Sequence, residues 1–271
     1  VAFLPPPSQL PAPPPGAPPR PRPPTNRRLG LTARAWALLA GALAVLLLVT
    51  TCVALGAGYR EYTRAPTAAE VERAANAEVA RRWRTWATGR VFPDVLRYRA
   101  GDKTEEATRL GVVPGTECAE AVDSEIGSVL DENGCRAVLR ATYADRLQGV
   151  VTTIGVVALP DPQRADRALR ALPQPADTPN GAKGPAVRAA AFPGTASARF
   201  NDAARQGRTQ TRAGPYLVLT TSGQSDGRAA AAIVKSRPGR LFAHADQLAA
   251  GVLAPLAARG LPRCGAKEWT C

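Results

Sequence analysis

From Ala35 to Gly58 the chain runs for 24 residues without a charge, closed by Arg34 on one side and Arg60 on the other. As a helix rising about 1.5 Å per residue, such a run crosses a hydrocarbon core of roughly 30 Å with some tilt to spare. A run this long is uncommon in the core of a soluble domain of this size. It fixes a topology before any other feature is considered: a tail, a span, and a larger portion beyond it.

Two alternatives to an uncleaved anchor exist. A secretory signal has an apolar core of about 7–15 residues behind a short basic lead, whereas here the core is longer and the lead has 34 residues. A lipidated cysteine is the sharper rival, since Val49-Thr50-Thr51-Cys52 places Cys52 within the run. Thr directly before the Cys fits the small-residue pattern of such sites poorly, so the anchor is the expectation.

Charge sets the orientation. Residues 1–34 carry five Arg and no acid, against the three Arg that closely follow the span, Arg60, Arg64 and Arg73. Basic flanks collect on the cytoplasmic side, which puts the N-terminus inside and residues from about 59 onward outside. Twelve of the 26 prolines fall in residues 1–34. Proline fixes φ and removes a donor, so a disordered, polyproline-II-rich tail is expected there. Pro15-Gly16-Ala17-Pro18-Pro19-Arg20 has the PxxPxR spacing of SH3-type ligands, a pattern that proline-rich tracts also match by chance. The plainer role is a tether whose arginines lie on anionic headgroups.

The cysteines agree with this sidedness. Cys52 lies in the span, while Cys118, Cys135, Cys264 and Cys271 form an even set in the exported part. With no CxxC spacing and a single His, two disulfides are expected rather than a metal site. The most economical pairing is Cys118 with Cys135 and Cys264 with Cys271, with crossed pairings open. One objection applies to the first pair. A straight helix between those cysteines rises about 24 Å, so the chain must fold back for the sulfurs to meet.

Beyond the span, Pro66 and Thr67 open a helix expected to reach about Trp86, with Val71, Ala75, Val79, Trp83 and Trp86 on one face. That face either rests on the outer leaflet beside Arg81, Arg82 and Arg84, or packs on the folded domain, the second being preferred. From Arg90 an α+β region is expected. Val95–Ala100 reads as a strand, and Glu105–Leu110 is ambiguous. A helix starts at Thr116 or Glu117 and stops at Asn133-Gly134. Strands follow at Cys135–Tyr143 and Val150–Leu159, then a helix after Pro160-Asp161-Pro162. Residues 173–184 read as a loop and Ala186–Phe192 as a strand. Thr209–Ala213 and Tyr216–Ser222 make a hairpin around Gly214-Pro215. Leu241–Arg259 closes as a helix, kinked or restarted at Pro255. The fold class is therefore α+β: one transmembrane helix followed by an extracytoplasmic mixed α/β sandwich, with a split βαβ-like core, a hairpin and a C-terminal helix. The boundaries are 1–34 for the tail, 35–58 for the span, 59–89 for a juxtamembrane amphipathic helix and 90–271 for the exported domain.

Catalytic signatures are weak. Gly223-Gln224-Ser225-Asp226-Gly227 matches G-x-S-x-G after an expected strand. The single His, His244, follows too closely, and 44 residues after Gly227 are too few for the strands that a nucleophile elbow's partners need. Asp226-Gly227 reads better as a tight turn. Glu105-Glu106 and Asp131-Glu132 are adjacent acids whose side chains diverge, and His244 sits at the edge of an apolar stripe. No catalytic residue, cofactor or metal is expected. Ten basic residues but only Asp202 and Asp226 lie between Lys183 and Arg240. Without interleaved aromatics they do not suggest nucleic acid; anionic wall polymer or lipid headgroups fit better.

Arg90-Val91-Phe92-Pro93, Cys135–Tyr143 and Ser225-Asp226-Gly227-Arg228 give the chain a resemblance to single-pass membrane proteins of high-GC Gram-positive bacteria. The resemblance covers the span and most of the exported region. It implies residence in the cell envelope and supplies no catalytic residue. The expectation is a membrane-anchored binding or scaffolding protein, its partners the bilayer and an envelope protein or anionic polymer. The alternative is a sensor subunit that relays occupancy of its outer domain to a partner of the tail.

Overall fold

The computed structural model describes residues 32–174, 184–233 and 239–260. The proline-rich stretch, most of the expected loop 173–184, and both Cys264 and Cys271 lie outside them. The chain divides between Arg64 and Ala65 into two units.

The first unit contributes one helix, α1 (Ala33–Thr63), of 31 residues. It begins earlier and ends later than the expected 35–58, because the apolar run sits inside a longer helix that carries Arg34 near one end and Arg60 near the other. It is long and apolar enough to cross a membrane. Its leucines are exposed, Leu38 to 75% and Leu55 to 68%. A helix apolar all round suits an apolar surround, the core of a protein or a bilayer. Its hydroxyls are suited to that surround, since Thr50 and Thr51 both donate to the carbonyl of Leu47, at 2.9 and 2.7 Å. No polar side chain is left needing water at that depth.

The second unit is α+β. Thr67 and Glu70 form a capping box: the Thr67 hydroxyl accepts from the Glu70 amide, and the Glu70 carboxylate accepts from the Thr67 amide at 2.8 Å. This starts α2 (Ala68–Val79) where the sequence predicts a start. The helix does not reach Trp86. It breaks at Ala80 and Arg81 and resumes as α3 (Arg82–Thr85) and α4 (Thr88–Val91). The cause is Tyr216, whose hydroxyl donates to the Val79 carbonyl at 2.6 Å and accepts from the Trp83 amide at 3.2 Å. Those two groups would otherwise bond to each other within a continuous helix, so the phenol is inserted into the ladder. Burial pushes the Tyr216 phenol up to about 12, which keeps it a donor. Val79 is buried in the core, with Trp83 and Trp86 packed against it. Residues 65–89 fall in the second unit, while 59–63 complete α1.

Six strands follow: β1 (Val95–Ala100), β2 (Lys103–Val112), β3 (Ala137–Ala144), β4 (Val150–Ala158), β5 (Gly207–Ala213) and β6 (Tyr216–Gln224). Their order is β1-β2-β3-β4-β6-β5 and every pairing is antiparallel. The stretch Glu105–Leu110, ambiguous in sequence, is strand. Between β2 and β3 lie α5 (Cys118–Ala121) and α6 (Ser124–Glu132); α7 (Pro162–Ala171) joins β4 to β5, and α8 (His244–Ala257) closes the unit. The β4–α7–β5 connection crosses over the inserted β6, as in a split βαβ unit. The α5–α6 connection instead joins neighbouring strands, so the sheet is antiparallel and not mixed.

Period-2 alternation gives the sheet two apolar faces. Ile154, Val156, Tyr216 and Val218 meet Leu248, Val252 and Leu256 of α8. Val157, Leu217 and Leu219 meet Ile126 and Leu130 of α6 with Ala165 and Ala168 of α7. Pro255 stays inside α8, in its last turn. The Gln247 amide closes the outer edge of β1, accepting from the Arg99 amide at 2.7 Å and donating to the Arg99 carbonyl at 3.1 Å.

The expected strand Ala186–Phe192 is not one. It makes a single bridge, Val122 to Val187, and lies across the second face of the sheet. The Ala190 amide donates to Thr153 Oγ1 at 3.1 Å, and Val187 rests on Gly155, where a Cβ would come within 2.7 Å of Val187 Cγ2. Its apolar pattern records burial against the sheet face and not strand pairing. Likewise the helix expected from Thr116 to Asn133 is interrupted at Val122, whose φ of −135° and ψ of 167° are extended. Asp123 holds the interruption by accepting from the Ala186 amide at 2.9 Å and from Arg205 at 2.7 Å.

Candidate functional site

The loops at one end of the sheet converge, at the end opposite the Tyr216 phenol. Asp145–Gly149 joins β3 to β4 with the Asp145 carboxylate accepting from the Val150 amide at 2.8 Å. Gln148 there adopts φ 55°, the one non-glycine left-handed residue among those described. The Ser225 amide donates to the Gly149 carbonyl at 3.0 Å, carrying the pairing of β4 and β6 into the loops. Gly227 follows at φ 73°, where a Cβ would lie 2.4 Å from the Arg199 carbonyl oxygen. Only glycine fits that approach. These loops enclose an open concavity of about 300 Å³, lined by Gln148, Thr195, Ala198, Arg199, Ser225 and Asp226 among others.

The G-x-S-x-G match is thus a strand end followed by a tight turn. The Asp226 carboxylate is taken by Arg228, through Nε at 2.7 Å and the amide at 3.0 Å, and these bonds hold it below its ordinary range. His244, the first residue of α8, packs against Tyr98 with ring centroids 5.1 Å apart and the rings tilted by 39°. Ser225, Asp226 and His244 are not brought into one hydrogen-bonded set. Glu105 pairs with Arg146 at 2.5 Å and Glu106 with Arg97 at 3.3 Å, on opposite faces of β2.

Cys118 and Cys135 form a disulfide with Cα atoms 6.4 Å apart. The helix break at Val122 and Asp123 removes the objection that a straight helix raises. Cys264 and Cys271 lie outside the described residues. Among the described residues no three His, Cys, Asp or Glu side chains are grouped to hold a metal ion.

The basic excess after Lys183 does not form a free patch among the described residues. Arg205 bonds Asp123 at 2.7 Å, Arg212 bonds Asp166 at 3.2 Å, and Arg228 bonds Asp226. Arg208 donates to the Pro185 carbonyl at 2.9 Å and the Gln174 carbonyl at 3.0 Å. Arg188 donates through Nε to the Val122 carbonyl at 3.1 Å. Arg199 alone of this group lines the concavity.

Sequence reasoning missed Arg82, which is 6% exposed. Its Nε bonds Glu78 at 2.8 Å, and its Nη1 donates to the carbonyls of Leu256 and Ala258 at 3.0 and 2.6 Å, at the end of α8. Arg82 and Arg90 stand over the Trp86 ring, 4.9 and 3.7 Å from its centroid. The signal available in sequence was an Arg at i+4 from Glu78 on an otherwise apolar stripe. Comparison with known protein families, with characterised proteins and with solved structures finds no match to this chain.

His244 makes a pH prediction. Burial holds the imidazole below its ordinary 6.5, partly offset by the nearby Asp145 carboxylate and the Leu241 carbonyl. The unfolded chain then binds the proton more readily than the folded one, so this contribution is intact above 6.5 and is lost as pH falls toward the folded value. His244→Gln is expected to flatten the fall in melting temperature between about pH 7 and pH 5. An unchanged profile places the titrating group elsewhere.

Proposed function

We propose that the chain is a single-pass membrane protein of the bacterial cell envelope, its N-terminal tail cytoplasmic and its α+β unit outside, acting as a binding or scaffolding module without a reaction of its own. The observation that carries the anchoring is α1, a 31-residue helix long and apolar enough to cross a membrane, with exposed leucines. The arginine-rich lead and the Cys118–Cys135 disulfide support the orientation, because such bonds persist in oxidising compartments.

The concavity between Asp145–Gly149, Thr195–Arg199 and Ser225–Gly227 is the surface on which this reading places the partner. It is open, closely approached by the backbone at Gly227, and lined by the hydroxyl residues Thr195 and Ser225 with Arg199. A photo-crosslinker at Thr195, in cells, is expected to capture an envelope component that Arg199→Glu abolishes. Absence of an adduct, or one indifferent to Arg199→Glu, contradicts this surface.

A relay reading has one specific support. α8 runs from His244, beside the loop end, to carbonyls held by Arg82 beyond the end of α2. An event at the loops that shifted α8 would reach the segment following the span. Deleting residues 1–30 separates the readings: a scaffold keeps its phenotype and a relay loses it.

A further inference from the structure

We propose that the corner formed by α3 and α4 is a docking surface for the phosphate headgroups of an anionic bilayer, an inference that rests on the membrane-anchored reading above. Between residues 81 and 90 the chain has four arginines and no acid. Arg82 is consumed internally, but Arg81, Arg84 and Arg90 are exposed and none makes an ion pair among the described residues. The acids nearest in sequence are engaged elsewhere, Glu78 with Arg82 and Asp94 with Arg109. Arg205, Arg212 and Arg228, by contrast, each pair with an acid.

Three features make the corner a fixed surface. Tyr216 pins the break before Trp83, Arg82 locks α3 to the end of α8, and Arg90 lies 3.7 Å over the Trp86 ring, which orders its guanidinium. Thr88 and Gly89 between them are exposed, and a Cβ at Gly89 would meet nothing. Chemistry selects the partner. Guanidinium forks match phosphate oxygens, and each basic side chain near an anionic surface adds to attraction that salt weakens. The tryptophans are not the contact, since Trp83 and Trp86 pack on the core. The chain adds proximity: only 17 residues, 64–80, separate the end of α1 from Arg81, so a bilayer holding α1 is present at high effective concentration.

The test uses the full chain in nanodiscs of phosphatidylcholine alone or with phosphatidylglycerol, read by amide hydrogen exchange. Exchange of amides 84–92 is expected to slow about fivefold in the anionic discs, to recover in high salt, and to lose its lipid dependence in the triple variant Arg81→Gln, Arg84→Gln, Arg90→Gln. The salt arm needs no variant and stands if the triple variant folds poorly. Equal exchange in both discs overturns the proposal, as does protection that only added polyglycerol phosphate polymer produces. Failure of the chain to enter either disc would refute the anchor itself, a result distinct from incorporation without protection.

Discussion

Arg82→Met lowers the melting temperature of the folded unit by about 6–12 °C, corresponding to about 3 kcal/mol. Methionine keeps the bulk of the stem against Trp86, so the loss isolates the guanidinium. Without it the Glu78 carboxylate, 28% exposed, keeps its charge with no partner at 2.8 Å. The Leu256 and Ala258 carbonyls at the end of α8 also lose their donor. Helix C-termini have four carbonyls without intrahelical partners, and a cation there is favoured by the helix dipole as well. Glu78→Gln is expected to cost less, about 1 kcal/mol, because the carbonyl bonds to Arg82 remain. Thermal denaturation of the full chain in detergent, followed by circular dichroism, measures both. A loss for Arg82→Met no larger than for Glu78→Gln would mean that the α8 carbonyls contribute nothing.

Removing the Cys118–Cys135 disulfide is the second large effect. The bond closes a loop with a sequence separation of 17 and ties the start of α5 to the residues leading into β3. On the chain-entropy account such a closure is worth about 3 kcal/mol. Both cysteines are half-buried against the cluster of Val122, Ile126 and Leu130, so serine at these positions also removes a little apolar contact. In a background with Cys264 and Cys271 changed to serine, the double variant Cys118→Ser, Cys135→Ser is expected to melt about 6–12 °C below its parent and to become insensitive to dithiothreitol. The parent should fall to the same temperature when reduced. Equal melting of the oxidised and reduced parent would assign the fold's stability wholly to its packing.

The legible parts of the structure are those governed by neighbours in sequence. Thr67 with Glu70 announces the start of α2 through local bonds, Gly214-Pro215 makes the β5–β6 turn, and the run from Ala35 to Gly58 defines the apolar middle of α1. The illegible parts depend on residues far along the chain. The helix after Thr67 breaks because a phenol 136 residues after Ala80 enters its ladder. Ala186–Phe192 has a strand's apolar content, but its Ala189 and Ala190 amides bond to the side chains of Asp202 and Thr153 instead of to a strand, so it covers a face. The same holds for charge. Ten basic residues against two acids between Lys183 and Arg240 suggest a cationic surface, yet Asp123 and Asp166, outside that interval, neutralise Arg205 and Arg212. Composition counts charges and cannot say which are paired. Hence the three unpaired arginines at the α3–α4 corner emerge only from the fold, as does the concavity beside Ser225.

Sidedness is the claim on which the rest depends, and Leu147 offers the means to test it. It stands at the tip of the β3–β4 loop, 76% exposed, and touches none of the packed clusters. In a Cys52→Ser background, Leu147→Cys and, separately, Ala12→Cys are treated in intact cells with a membrane-impermeant maleimide and mapped by peptide mass. The account predicts modification at position 147 in intact cells and at position 12 only after lysis. Modification at 12 with protection at 147 would reverse the topology and contradict the account.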